Sequence, residues 1–134
     1  LAGALEDRIE GAEVILPQDF KFSDSFNREE DFPKLFDACL RTLEEAELVV
    51  GVLDGSDVDS GTAFEIGYAY SLGIPIIGIR TDYRQSQDRG LNLMLSQCCT
   101  KLLRAMSFSE DLDQLVKDLT GKIVAALKEM RQPG

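Results

Sequence analysis

Four carboxylates, Asp54, Asp57, Asp59 and Glu65, crowd one short stretch of this chain, Leu48 to Tyr70, which reads LVVGVLDGSDVDSGTAFEIGYAY. Asp54 closes an apolar run, Asp59 lies in the polar loop that follows, and Glu65 stands just inside the next helical pattern. Carboxylates with divided duties carry out displacement at a sugar anomeric carbon, one attacking carbon while another moves the proton of the departing group. A carboxylate near a helix N-terminus is favoured in its charged form by the helix dipole and free N–H groups, which suits a nucleophile. A second carboxyl group, partly buried beside other anions, has its pKa raised and suits an acid. The chain has no histidine, so acid–base or nucleophilic chemistry must rely largely on these groups. The residue types are compatible with breaking a glycosidic bond; composition does not identify the sugar. Each acid also has a plain structural reading. Thr62-Ala-Phe-Glu65 has the spacing of a capping box, and Asp57 and Asp59 are ordinary turn residues in many loops. Against this for Glu65, its neighbours Phe64, Ile66 and Ala69 make the helix largely apolar, and Gly67 leaves room for a close approach.

These groups have to be held by elements that the sequence pattern predicts. Leu48–Leu53 is a continuous apolar run, as expected for a strand buried on both faces of a parallel sheet, and Gly55 lets the chain turn sharply after Asp54. Gly61–Leu72 reads as a helix closed by Gly73. Ile74–Ile79 (IPIIGI) is a second buried strand with Pro75 near its start, and Lys101–Ala105 a weaker one. Ala12–Leu16 (AEVIL) is a short β-rich run stopped by Pro17. Phe32–Glu45 has helical periodicity, with Phe32, Leu35, Phe36, Cys39, Leu40 and Leu43 on one face. Asp111–Met130 is a long amphipathic helix with Ser109 as N-cap. This alternation predicts an α/β fold, a mainly parallel sheet flanked by helices. Open sheets of that kind bind ligands beyond the carboxyl ends of their strands, where Asp54 falls.

With 134 residues the chain is long enough for one domain with a real core, spanning 1–134. A net charge of −10 without clustered Lys and Arg argues against binding a nucleic-acid backbone. It leaves room for a nucleoside or a free base. No run of about 18 apolar residues predicts a membrane span, and no signal-peptide pattern is visible, so a cytoplasmic protein is expected. Cys39, Cys98 and Cys99 show no metal-ligand spacing and read as reduced, partly buried thiols.

The pattern Asp54-Gly55…Asp59-Ser-Gly61-Thr62-Ala-Phe-Glu65-Ile-Gly67-Tyr68-Ala69 resembles the signature of the nucleoside 2-deoxyribosyltransferases. Leu1-Ala2-Gly3 is similar to the start of that family's first-strand motif, Val14–Pro17 to its second strand, and Asn92-Leu-Met-Leu95 to its later asparagine segment. The resemblance implies a flavodoxin-like, three-layer fold with about five strands, and a double displacement that exchanges the base of a 2′-deoxynucleoside. Glu65 matches the nucleophile, Asp54 the carboxylate that handles protons on the base, and Asp59 the one that holds sugar hydroxyls and orients the nucleophile. Asn92 matches a sugar-binding asparagine, in many members across a subunit interface. Helix-start N–H groups at Gly61 and Thr62 would help fix Glu65, and Gly3 would begin the pocket loop. The family uses no metal or organic cofactor and is usually homo-oligomeric, with nucleoside and free nucleobase as its partners. Gln18 and Asp19, after Pro17, are candidate base contacts. The loop that should follow Gly3 is absent, Ala4-Leu5-Glu6 standing in its place. Residues are therefore expected to be missing before Leu1, between Gly3 and Ala4, or at both places.

Three other readings compete. A hydrolase of the same superfamily would cleave deoxynucleoside 5′-monophosphates, with Arg80, Arg84, Ser86 and Arg89 as a candidate phosphate loop. A phosphoacceptor receiver domain would use Asp54 as its acceptor, but it needs an acidic pair after the first strand and a lysine ending the last. Lys101 begins its strand instead. A nucleotide-binding module without catalysis is the third.

Overall fold

The structure, a computed structural model, describes residues 1–16, 27–55, 57–81, 91–105 and 112–131. Its elements run α1 (Ala2–Arg8), α2 (Arg28–Glu45), β1 (Val49–Val52), α3 (Ser60–Ser71), β2 (Ile76–Arg80), α4 (Leu93–Cys98), β3 (Lys101–Arg104) and α5 (Leu112–Arg131). The three strands form one parallel sheet in the order β1-β2-β3. Val50 pairs with Ile77 and Val52 with Ile79, while Ile77 pairs with Lys101 and Ile79 with Leu103. Parallel neighbours need a crossover, and α3 and α4 supply the two here. No helix among the described residues is long and apolar enough to cross a membrane.

The apolar runs become strands because both of their faces are covered. On one face Ile77 and Ile79 pack with Leu5 of α1, Ala105, and Leu119, Ile123 and Ala126 of α5. On the other, Leu53 and Ile76 pack with Ile66 and Ala69 of α3, joined by Leu95 and Cys98 of α4. The result is three layers, helices–sheet–helices. All five residues of β2 are buried, as its central place demands. At β1 the first layer thins out, and Val50 and Val52 are 36% and 52% exposed.

Two glycines set how closely the α3–α4 layer approaches. A Cβ on Gly51 would lie 2.9 Å from Ile66 Cδ1, and one on Gly78 would lie 2.7 Å from Cys99 Sγ and 2.9 Å from Leu53 Cδ1. A side chain at either place would have to displace these atoms, so the two register partners let the helices settle against the middle of the sheet.

The sequence expectations hold for β1, β2, β3 and the three long helices, with ends shifted by a few residues. The described residues contain three strands, against about five expected. Leu1–Gly3, expected to begin a strand, opens α1 instead. Ala2, Ala4, Leu5 and Glu6 are good helix formers, and no β-branched residue occurs before Ile9. Ala12–Leu16 is irregular chain, with no strand paired to it among the described residues. Val14 packs on the α1–α5 core, and its N–H reaches Glu6 Oε2 at 3.4 Å, which serves in place of a ladder bond. The α2 face expected to be buried is only partly covered. Leu43 is buried, but Phe32 and Phe36 are half exposed.

Candidate active site

The parallel topology brings the carboxyl end of β1, the carboxyl end of β2 and the starts of α3 and α4 to one edge of the sheet. Asp54 lies two residues past β1, Thr81 directly after β2, Asp59 at the N-cap of α3 and Asn92 at the N-cap of α4. Gly55 makes the turn after Asp54 at φ 101°, a left-handed conformation that glycine adopts without strain. A cavity of about 240 Å³ lined by Tyr70, Gly73, Ile74, Pro75, Cys98 and Thr100 sits at the opposite edge, among the strand starts, away from these acids.

Asp54 is held by both oxygens. Thr81 N–H donates to its Oδ1 at 2.6 Å, and the Thr81 hydroxyl donates to its Oδ2. Asp59 caps α3, its Oδ2 accepting from Thr62 N–H at 3.0 Å and from the Thr62 hydroxyl at 3.3 Å. A Cβ on Gly61 would come within 3.2 Å of that same oxygen, which explains the small residue there. The capping pair is thus Asp59–Thr62, one turn before the Thr62–Glu65 box that the spacing suggested. Glu65 is free of capping duty. The expectation that helix-start N–H groups hold Glu65 is overturned, because the Thr62 N–H is already given to Asp59.

Glu65 is partly buried, and among the described residues no donor hydrogen-bonds to it. Its pKa is raised above the ordinary glutamate value, first by burial and second by the negative charge of Asp59. This reverses the expectation of a dipole-stabilised anion: loss of water and a nearby like charge outweigh the helix field. Asp59 is therefore near enough to Glu65 to act on its charge without touching it through a hydrogen bond.

Successive residues of an α-helix turn by about 100°, so Glu65 and Gly67 flank the buried Ile66 on opposite sides. Glu65 shares its flank with Tyr68 and Phe64, and that flank meets α2. Tyr68 Oη donates to Glu44 Oε1 at 2.6 Å, the Phe36 and Phe64 rings lie 6.1 Å apart, and Phe64 stacks on Tyr68 at 6.3 Å. Cys39 of α2 also feels Glu65, its thiol pKa raised by burial and then by that carboxylate. Gly67 is on the other flank, with open space around it, so it is no neighbour of Glu65.

Asn92 uses its Oδ1 to accept from Met94 N–H at 2.9 Å, and the residue is exposed. Gly3 lies in α1, which packs on α5 across the sheet from α3, so it does not join Asp59 and Glu65. Asp57 is an exposed loop residue. Gln18, Asp19, Arg84, Ser86 and Arg89 lie outside the described residues. Arg80 is buried in β2 and donates to the Leu53 carbonyl at 2.7 Å, which makes it a strand-end tie rather than part of an open phosphate loop. Thr81 and Cys39 were not singled out as site residues. Thr81 could have been: like Asp54, it is a polar residue at the end of a buried run. Among the described residues no group of three or more Cys, Asp and Glu side chains is arranged to hold a metal ion.

The fold and site together define a class: an open parallel α/β domain carrying a carboxylate cluster at the carboxyl edge of its sheet. The model of the nucleoside 2-deoxyribosyltransferase family matches residues 4–94, more than half of the chain, and the chain belongs to that family. The family is enzymatic and acts on small nucleoside substrates, and the matched stretch contains Asp54, Asp59, Glu65 and Asn92. A comparison with curated proteins found no match.

Proposed function

We infer that this domain, residues 1–134, exchanges the base of 2′-deoxynucleosides by double displacement. A carboxylate oxygen of Glu65 attacks C1′, forming a C1′–O ester bond as the C1′–N bond to the base breaks. Asp54 gives a proton to the departing base nitrogen. The incoming base then attacks C1′ through nitrogen, its proton passes to Asp54, and the Glu65 carboxylate is released. Asp59 lies beside the nucleophile as its orienting anion and sugar-hydroxyl acceptor. Asn92 serves the sugar from the start of α4, and the Gly61–Thr62 turn forms the floor near Asp59. The enzyme works as a homo-oligomer in the cytoplasm, in nucleoside salvage.

The observation that carries this reading is the state of Glu65. It is a half-buried carboxylate, held by no donor among the described residues and raised in basicity by burial and by Asp59. A carboxylate that need not shed hydrogen bonds before attacking is a better nucleophile toward carbon than a solvated one. The 2′-deoxy sugar helps, since it lacks the hydroxyl that disfavours an oxocarbenium-like transition state.

Glu65→Ala and Glu65→Gln test the mechanism, with deoxynucleosides supplied with and without a second base and the protein followed by intact mass. The native enzyme gains one deoxyribosyl mass at Glu65 and forms exchanged nucleoside only when a second base is present. Both variants stay folded and lose adduct and exchange. Substantial exchange by purified Glu65→Ala removes the mechanism, and base-independent release of free deoxyribose by the native protein makes it a hydrolase.

A further inference from the structure

Beside Glu65, the seam between α2 and α3 is lined with aromatic rings that the core does not use. Phe36 and Phe64 are 51% and 53% exposed, although phenylalanine is among the residues most often buried. Their ring centroids are 6.1 Å apart, with the planes tilted by 47°. Phe64 is braced from behind, lying parallel to Tyr68, and Tyr68 is fastened to Glu44 by its hydroxyl. Phe32, one turn before Phe36, already has the Arg28 guanidinium over its ring at 4.9 Å.

The contacts also give the sense of the seam. Phe36 meets Phe64 in α3, and later in both helices Glu44 meets Tyr68, so α2 and α3 run the same way. Helix α3 leads from the carboxyl end of β1 back to the start of β2, so α2 also runs away from the carboxyl edge of the sheet. Cys39, whose thiol feels the Glu65 carboxylate, falls between the two contacts. Phe36 is therefore about 4.5 Å nearer the open edge than Cys39, and Phe64 directly precedes Glu65. In the displacement Glu65 attacks one side of C1′ and the base leaves from the other, so the base has to lie outward of Glu65. The two rings stand on that outward side. Charge points the same way. Asp54, Asp59 and Glu65 line the edge in a chain of net charge −10. Carboxylates give the flat faces of a neutral base little to bind, whereas an aromatic side chain stacks on any base.

We propose that Phe36, with Phe64 beside it, is the wall on which the nucleobase stacks during exchange. The base lies over the Phe36 ring and meets Phe64 edge-on, as the tilt between the two planes allows. The occupant is the flat ring common to the deoxynucleoside and the free base. Departing and arriving bases therefore use the same wall, and the larger purine ring is held more tightly than a pyrimidine. This rests on the reading of Glu65 as the nucleophile.

The test uses Phe36→Leu, which keeps an apolar side chain and deletes the ring, and Phe36→Trp. Phe36→Leu is expected to raise KM about 5- to 50-fold for the deoxynucleoside and for the accepting base. Its kcat should change by less than about twofold, since the lost contact is made equally before and during the reaction. The rise is larger for purines than for pyrimidines. The chain has no tryptophan, so Phe36→Trp places a single indole in the wall. Free adenine and free thymine quench its fluorescence saturably, deoxyribose does not, and the quenching persists in Phe36→Trp/Glu65→Ala. Native KM values for Phe36→Leu, or an indole that neither base quenches, would overturn the proposal. Native KM values together with a smaller mass in sedimentation would make the seam a contact between copies of the chain instead. Exchange that persists in Glu65→Ala would remove the underlying assignment of Glu65, whatever the Phe36 variants report.

Discussion

Gly78→Ala puts one methyl group where the sheet and α4 meet, and the structure gives the size and sign of its effect. The new Cβ would stand 2.7 Å from Cys99 Sγ, 2.9 Å from Leu53 Cδ1 and 3.1 Å from Leu102 Cδ1. The sulfur cannot swing away freely, because it donates to the Leu95 carbonyl at 3.3 Å, and Leu53 is fully buried. Overpacking of this kind costs about 1–3 kcal/mol. Replacing glycine returns roughly 0.5–1 kcal/mol by reducing the freedom of the unfolded chain, so a net loss of about 1–2 kcal/mol is expected. With an unfolding entropy of about 2.1 cal/mol/K per residue, that lowers Tm by roughly 4–7 °C. The assay is thermal and urea unfolding of the native protein, Gly78→Ala, Cys99→Ala and the double variant. Removing the sulfur should relieve most of the clash, giving a favourable coupling of at least about 1 kcal/mol. A Gly78→Ala protein as stable as the native one, or losses that simply add, would refute the close approach of α4 to the sheet.

Asp59→Asn separates the two causes that raise the Glu65 pKa. The proposed nucleophile must be ionised, so adduct formation in a single turnover should fall as pH drops through a limb above the ordinary glutamate range. Asparagine caps a helix about as well as aspartate, so the variant keeps α3 while removing the like charge. The limb should move to lower pH, yet stay above the ordinary value because burial is the larger cause; an unmoved or rising limb would contradict the placement of Asp59. Gly67→Ala is expected to raise stability by about 0.5–1 kcal/mol, since it improves helix propensity and its Cβ meets nothing within 4 Å. Exchange should be unchanged, and a marked loss of activity would show that substrate uses the Gly67 flank of α3.

What was legible in the sequence is what local pattern decides. The run VVGVL and the run IPIIGI have no polar residue to place on a wet face, and both became strands; IPIIGI is covered on both sides, whereas VVGVL leaves Val50 and Val52 partly open on one face. Helix α5 followed from its amphipathic period. Asp54 was legible because it stands where an apolar run gives way, and Asp59 and Glu65 because they bracket the start of the next helix. Their partners were not. Thr81 is 27 residues from Asp54, and only the register of β1 on β2 makes them neighbours. The N-cap was misplaced by one turn, since Asp59 and Thr62 both have the chemistry to cap, and only the path of the chain out of Gly55 decides between them. At Leu1–Gly3 the resemblance to a strand motif conflicted with the helix preference of Ala2–Glu6, and the helix prevailed.

The two principal carboxylates meet opposite surroundings, and the proposed mechanism gives them different duties. Asp54 sits at a junction of three strand ends with a donor on each oxygen, so its position is set by the most rigid part of the fold. Glu65 is carried on the flank of a helix between Cys39 and Asp59, with burial and like charge acting on it and no donor among the described residues. A group that must pass a proton to a base and recover another needs a fixed orientation. One that must form a bond to carbon needs a lone pair unencumbered by donors. Exchanging the two environments would disable both steps: a Glu65 gripped by two donors would be a poorer nucleophile, and an Asp54 without them would have no defined direction toward the base. On the proposed mechanism, attack by Glu65 and proton transfer by Asp54 each suit the surroundings these groups have.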